Sequence, residues 1–144
     1  MYQLRKEEKM ELTKISQLLY QLKIANQEMT TVFEKTTGFS LTRYELMRIL
    51  LCKGKCSQTQ LQAVLKIDSA AVTRHLKLLE EKGYVTRERN KDNNREIFVK
   101  VTEQAKEAMA RCERDHDTAQ NTLNIGLSDK EEEQLLALLN KLTK

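Results

Sequence analysis

The side chains best placed to do chemistry fall in one stretch. Ser69, Ala70, Thr73, Arg74 and Lys77 lie on one side of a helical period whose other side is Ala71, Val72, Leu76 and Leu79. Small and hydroxyl residues followed by two cations suit a helix entering the major groove of duplex DNA. The small residues permit close approach, Thr and Arg can reach base edges, and Lys77 is placed for phosphate. Glu80 and Glu81 sit at the far end, where phosphate would be repelled, so the N-terminal half leads. Ser57 and Gln58 open the preceding helix, whose free amides can hold a backbone phosphate. Further on, Arg89, Lys91, Asn93 and Arg95 gather in a polar turn. Arginine at a hairpin tip suits the minor groove, whose negative potential attracts it. The competing reading is a solvated helix face followed by an ordinary polar turn.

Other reactive residues form no complete site. Cys112 and His116 are four apart on a helix, a spacing that can share a metal. Two ligands do not make a zinc site; Glu34 and Glu45 are available near the first two helices, but no His or Cys precedes Cys52. Core or interface packing is the favoured reading for Cys112 and His116. Cys52 and Cys56 flank a glycine loop with Lys53 and Lys55, and a redox switch needs an accessible thiol of low pKa. Structural thiols are the favoured reading there. His75 borders the inward stripe of the groove-reading helix and is expected to pack rather than ligate. No phosphate-cradling glycine loop or nucleophile motif is present, and histidine is scarce, so the chain is not expected to be an enzyme.

The charge distribution agrees with a DNA partner. The 144 residues carry a formal net charge of +4. Residues 1–39 hold six basic and five acidic side chains, residues 40–100 thirteen and seven, and residues 101–144 six and nine. The middle segment is therefore +6 (thirteen minus seven), which is where a phosphate footprint is needed. No apolar run approaches a membrane span, and Met1 to Glu8 lacks a signal-peptide core, so a soluble, cytoplasmic chain without a membrane partner is expected. Three cysteines fit a reducing compartment rather than a disulfide framework.

The elements that must position these residues can be read from periodicity. The chain has no proline and four glycines, which favours helices. Residues 10–36 read as one amphipathic helix with Leu12, Ile15, Leu18, Leu19, Leu22, Ala25, Met29, Val32 and Phe33 on its stripe. Such a helix runs to about 40 Å, long for a small domain, so part of the stripe is expected to meet another subunit. Gly38 ends it. Thr42 to Glu45 has the capping-box pattern for a second helix. Residues 53–56 read as a loop, Ser57 caps a short helix to Leu65, and Lys66-Ile67-Asp68 is a tight turn. The groove-reading helix spans Ser69 to Lys82 and closes on Gly83. Tyr84 to Glu88 and Glu96 to Val101 then alternate with a two-residue period, giving a β-hairpin with a basic tip. Thr102 caps a fifth helix whose stripe includes Ala105, Met109, Cys112, His116, Ala119 and Leu123. Ser128 and Glu131 form a second capping box, opening a last helix with Leu135, Leu136, Leu138, Leu139 and Leu142 inward. The fold class is mainly α, an α+β winged helix. It is one domain over residues 1–144, with a winged helix-turn-helix at 41–101 flanked by long helices at 10–36 and 102–143.

The run IDSAAVTRHLKLLEEKGYV at 67–85, then Asn93-Asn94-Arg95 and Val99-Lys100-Val101-Thr102, resembles the multiple antibiotic resistance regulator (MarR) family. The resemblance covers nearly the whole chain. It implies an obligate homodimer built from the terminal helices, with two winged lobes on a pseudo-palindromic operator. It also implies a repressor released by a small-molecule effector, a metal or an oxidant. The family's wing motif is Asp-x-Arg before the second strand. Here Arg95 matches, Asn93 replaces the Asp, and Asp92 is a substitute partner for the Arg. Ala105 stands where the family often has Gly. Zinc-responsive members take ligands from the fifth helix and from the first two, and oxidant-sensing members carry a cysteine near the start of the first helix, which is absent here. The default is therefore an organic effector bound between the dimer base and the winged lobe. The alternatives are a zinc- or thiol-responsive regulator of this fold, or a winged-helix protein-interaction module without DNA binding.

Overall fold

The computed structural model describes residues 11–93, 95–116 and 123–143. Residues 1–10, 94, 117–122 and 144 lie outside them, and with them the expected helix start at Met10, Asn94 of the wing motif and Ala119 of the fifth-helix stripe. In chain order the elements are α1 (Glu11–Thr37), α2 (Leu41–Lys53), β1 (Cys56–Ser57), α3 (Gln58–Leu65), α4 (Ser69–Glu81), β2 (Val85–Arg89), β3 (Ile97–Val101), α5 (Glu103–His116) and α6 (Asp129–Leu142). The strands form one antiparallel sheet in the order β1-β3-β2.

The core lies inside the winged lobe. Leu46, Met47 and Leu50 of α2, Leu61 of α3, Val72, Leu76 and Leu79 of α4, and Val85 and Val99 of the hairpin are all buried. Removing one of these leucines as far as Ala would cost about 2–5 kcal/mol through lost transfer energy and the cavity left behind. The inward stripe of α4 therefore fixes which side chains face outward, as its periodicity requires.

Three local expectations need correction. The second helix is capped by Ser40, whose Oγ accepts from the Arg43 amide at 3.4 Å, not by Thr42. Glu45 is thereby freed from capping, and its carboxylate takes the Arg48 guanidinium, with Nε donating at 3.0 Å. The orphan amide of Leu41 donates instead to Glu34 Oε2 at 2.8 Å, which ties α1 to α2. Next, the loop expected at 53–56 ends early. Cys56 pairs with Val99 and Ser57 with Phe98, adding a two-residue strand too short to display an alternation. Finally, the leucines of α6 do not point inward within this chain. Leu135, Leu136, Leu138 and Leu142 are exposed, because the core closes without α6.

Other boundaries shift by a residue. Tyr84 and Glu96 flank the hairpin strands rather than opening them, and α4 ends at Glu81. Gly83 has φ of 76°, a region costly for residues with a Cβ. Its amide donates to Glu80 and that of Tyr84 to Leu79, which closes the helix by the expected glycine mechanism. Ser57 with Gln60, and Ser128 with Glu131, form complete capping boxes.

Candidate nucleic-acid interface

α4 presents Ser69, Ala70, Thr73, Arg74 and Lys77 to solvent on one face. Its start is set by Asp68, whose carboxylate accepts from the Ala71 amide at 2.7 Å. The Thr73 hydroxyl donates to the Ser69 carbonyl at 2.9 Å, so its lone pairs are what it offers outward. Lys66 adopts the left-handed conformation in the turn between α3 and α4, with φ of 55°. It is the C-cap of α3, and Asp68 two residues on caps α4.

The wing brings its arginine to this helix. Arg95 lines a cleft of ≈ 140 Å³ together with Gln58, Thr59, Gln62 and Ser69. Gln58, Ser69 and Arg95, far apart in the chain, therefore meet. Arg74 and Lys77 lie further along α4, and Lys91 and Asn93 are exposed at the hairpin tip. Arg89 is exposed on the last residue of β2 and already engaged with another group. Ser57 has a different place. It is 2% exposed, its hydroxyl accepts from the Gln60 amide, and its own amide donates to Gln60 Oε1 at 2.8 Å. Its part is to hold the start of α3. Thr59 and Gln62, absent from the sequence reading, share the cleft. Their signal was the polar face of α3, opposite Leu61.

The wing's turn is held by its own asparagines. Asn93 Oδ1 accepts from the Arg95 amide at 3.2 Å, and Asn90 Oδ1 accepts from the Asp92 amide at 3.0 Å. Asn93 itself accepts from the Arg95 backbone, an acceptor role open equally to an Asp at that position. An Asn does this with one less negative charge beside the Arg. Two ion pairs brace the hairpin: Arg87 donates to Glu80 of α4 at 2.9 Å, and Lys55 to Glu88 at 3.1 Å. Lys55 also lies over the Phe98 ring, 4.4 Å from its centroid. The Arg87 guanidinium holds the Glu80 carboxyl below its ordinary range.

His75 contacts a side chain rather than the backbone, its Nδ1 lying 3.3 Å from Arg43 Nη1. Burial, then the Arg43 and Arg74 guanidiniums, hold its pKa below the ordinary value of 6.5.

A second hollow, of ≈ 270 Å³, opens between the end of α1, the start of α2 and α5. Phe33, Tyr44, Cys112, Glu113 and His116 are among its walls. His116 Nδ1 accepts from the Leu123 amide at 3.0 Å. Burial, then Glu113 and Asp115, push the Cys112 thiol up. Among the described residues no group of three His, Cys, Asp or Glu is arranged to hold a metal. Glu34 and Glu45 are committed to Leu41 and Arg48. Cys56 is 2% exposed in the core, whereas Cys52 is exposed on the last turn of α2. Burial of Cys56 removes the accessible pair on which a switch between them would depend.

A helix-turn-helix braced by a basic β-hairpin defines the winged-helix class. The MarR family model matches residues 39–97. The HTH-type transcriptional regulator YdgJ of Bacillus subtilis (strain 168) is 36% identical over 127 residues, covering 88% of this chain and 77% of that protein. The chain belongs to the MarR family of transcriptional regulators, which are not enzymes. MarR of Salmonella typhimurium is 26% identical over 74% of this chain and 72% of its own length. Among solved structures, a cysteine-to-serine mutant of E. coli MarR complexed with operator DNA superposes with a TM-score of 0.78 at 22% identity, covering 93% of this chain and 99% of that one. Reduced AbfR bound to DNA gives 0.74 at 19% identity, covering 94% and 100%. Among the described residues, no helix is long and apolar enough to cross a membrane.

Proposed function

We propose that the protein is a homodimeric repressor that binds a pseudo-palindromic operator through α4 and the wing, and releases it on binding a small organic effector. The observation that carries the DNA reading is the meeting of Gln58, Ser69 and Arg95 in one cleft beside the exposed face of α4. In this reading Thr73 and Arg74 address base edges, Lys77 and the start of α3 hold phosphate, and Arg95 enters the adjacent minor groove. The DNA-bound structures of the same fold favour it over a protein-interaction module.

Dimerisation is supported by the apolar residues that α1 and α6 leave uncovered, among them Leu12 at 79% and Leu136 at 61% exposure. The effector reading rests on the hollow between α1, α2 and α5. From it, aromatic contacts run through Phe33, Tyr44, Phe39 and Tyr84 to the base of the wing, with centroid separations of 5.5, 5.4 and 6.3 Å. A molecule displacing Tyr44 would press through Phe39 on Tyr84, the residue before β2.

The test is a gel shift on the DNA upstream of the protein's own gene at two salt concentrations, with wild type, Arg74→Ala and Arg95→Ala. Affinity should fall steeply with salt, and each variant should bind at least about tenfold more weakly. Unchanged affinity in both variants would rule out this docking mode.

A further inference from the structure

We propose that Gln58 is the positioning residue for Arg95: its side-chain carbonyl accepts from the Arg95 guanidinium when the protein engages DNA and fixes the direction of that side chain. The inference rests on the DNA reading above and adds to it a side chain that need not touch the duplex. Gln58 Oε1 is buried and has no hydrogen-bond partner among the described residues. A buried carbonyl left unpaired is costly, so the site favours a donor that can reach it. Val72 and Ile97 give the surrounding cleft its apolar walls, and Arg95 is the one charged group that lines it among the described residues.

Arg95 has the matching need. The acceptors beside it on the wing are engaged, Asn93 Oδ1 with the Arg95 amide and Glu96 Oε2 with the Asn90 side chain. Among the described residues no ion pair joins a carboxylate to Arg95. Its side chain is exposed and long, so ordering it against DNA costs entropy unless a partner holds it. A guanidinium has more N–H donors than one carbonyl can use, and a bond to Gln58 leaves the others for the groove. As a charged donor it makes a stronger bond to that carbonyl than the Ser69 hydroxyl or the Gln62 amide, which line the same cleft. The free fold already bears the cost of the unpaired carbonyl, so a bond formed on DNA counts toward affinity.

The experiment is a double-mutant cycle on DNA upstream of the protein's own gene, read by gel shift at low salt, with wild type, Gln58→Met, Arg95→Ala and the two combined. Methionine keeps the length of the side chain and the backbone amide while removing the carbonyl. Gln58→Met should bind about tenfold more weakly than wild type, and should add no further loss once Arg95 is replaced. The melting temperature of free Gln58→Met should equal or exceed that of wild type, because the carbonyl it removes is unpaired in the free fold. Equal losses with and without Arg95 would mean that Gln58 acts on DNA independently of it. That result, no loss from Gln58→Met, or a lowered melting temperature would each overturn the proposal, and the DNA reading would stand as long as Arg95→Ala weakens binding. If Arg95→Ala binds as tightly as wild type, or wild type does not bind, the DNA reading falls and this proposal falls with it.

Discussion

Arg74 and Lys77 sit one turn apart on the same exposed face, yet they should fail differently. Arg74→Ala should relax sequence preference, at about 1–3 kcal/mol per lost base contact, while Lys77→Ala should weaken all duplexes alike and reduce the salt slope by about one. Competition gel shifts against operator and random DNA distinguish the two, and equal effects on both duplexes from both variants would contradict the assignment. His75 supplies a pH test. Its pKa is held below 6.5 in the fold, so the unfolded chain binds the proton more readily. Its stabilising contribution is present above 6.5 and lost as pH falls through the folded value. The melting temperature should drop on acidification below 6.5, and His75→Asn should flatten that part of the profile. An unaltered slope would show that other groups set it. Much of the site was readable at this scale because a buried stripe fixes the opposite face of a helix. What was not readable came from partners distant in the chain: the Arg43 contact to His75, the burial of Ser57, and the entry of Thr59 and Gln62 into the Arg95 cleft.

The elements owe their order to residues at their ends. Gly83 carries the sharpest requirement. Its φ is 76°, and an added Cβ would stand 2.9 Å from Gln104 Oε1. Its carbonyl accepts from Thr102 Oγ1 at 2.7 Å, joining the end of α4 to the start of α5. Gly83→Ala should therefore destabilise by about 1–2 kcal/mol from the left-handed backbone alone. A urea midpoint with unchanged slope measures this; no loss would mean the junction adapts. The helices and the hairpin followed from period and caps, since those signals are local. The strand at 56–57 and the Ser40 cap did not. The first exists only through pairing with Val99 and Phe98, and the second was obscured by a competing Thr42–Glu45 pattern whose Glu found Arg48.

At the scale of the molecule, the lobe that carries the interface closes its own core, while α1 and α6 leave leucines in water. Burying exposed leucine is worth about 1.5–3 kcal/mol per side chain, and the cover we propose for it is a second copy. Leu136→Lys with Leu138→Lys should shift sedimentation from dimer to monomer at micromolar concentration while the winged lobe stays folded. An unchanged sedimentation coefficient would remove α6 from the interface. The terminal helices were visible in the sequence as stripes, but a stripe does not say whether its cover lies in the same chain. The central claim is that two such lobes read one duplex. Hydroxyl-radical footprinting of the upstream operator tests it most directly. The account predicts two protected patches related by a two-fold axis, their centres about one helical turn, or roughly 34 Å, apart. A single patch, or protection without two-fold symmetry, would contradict it.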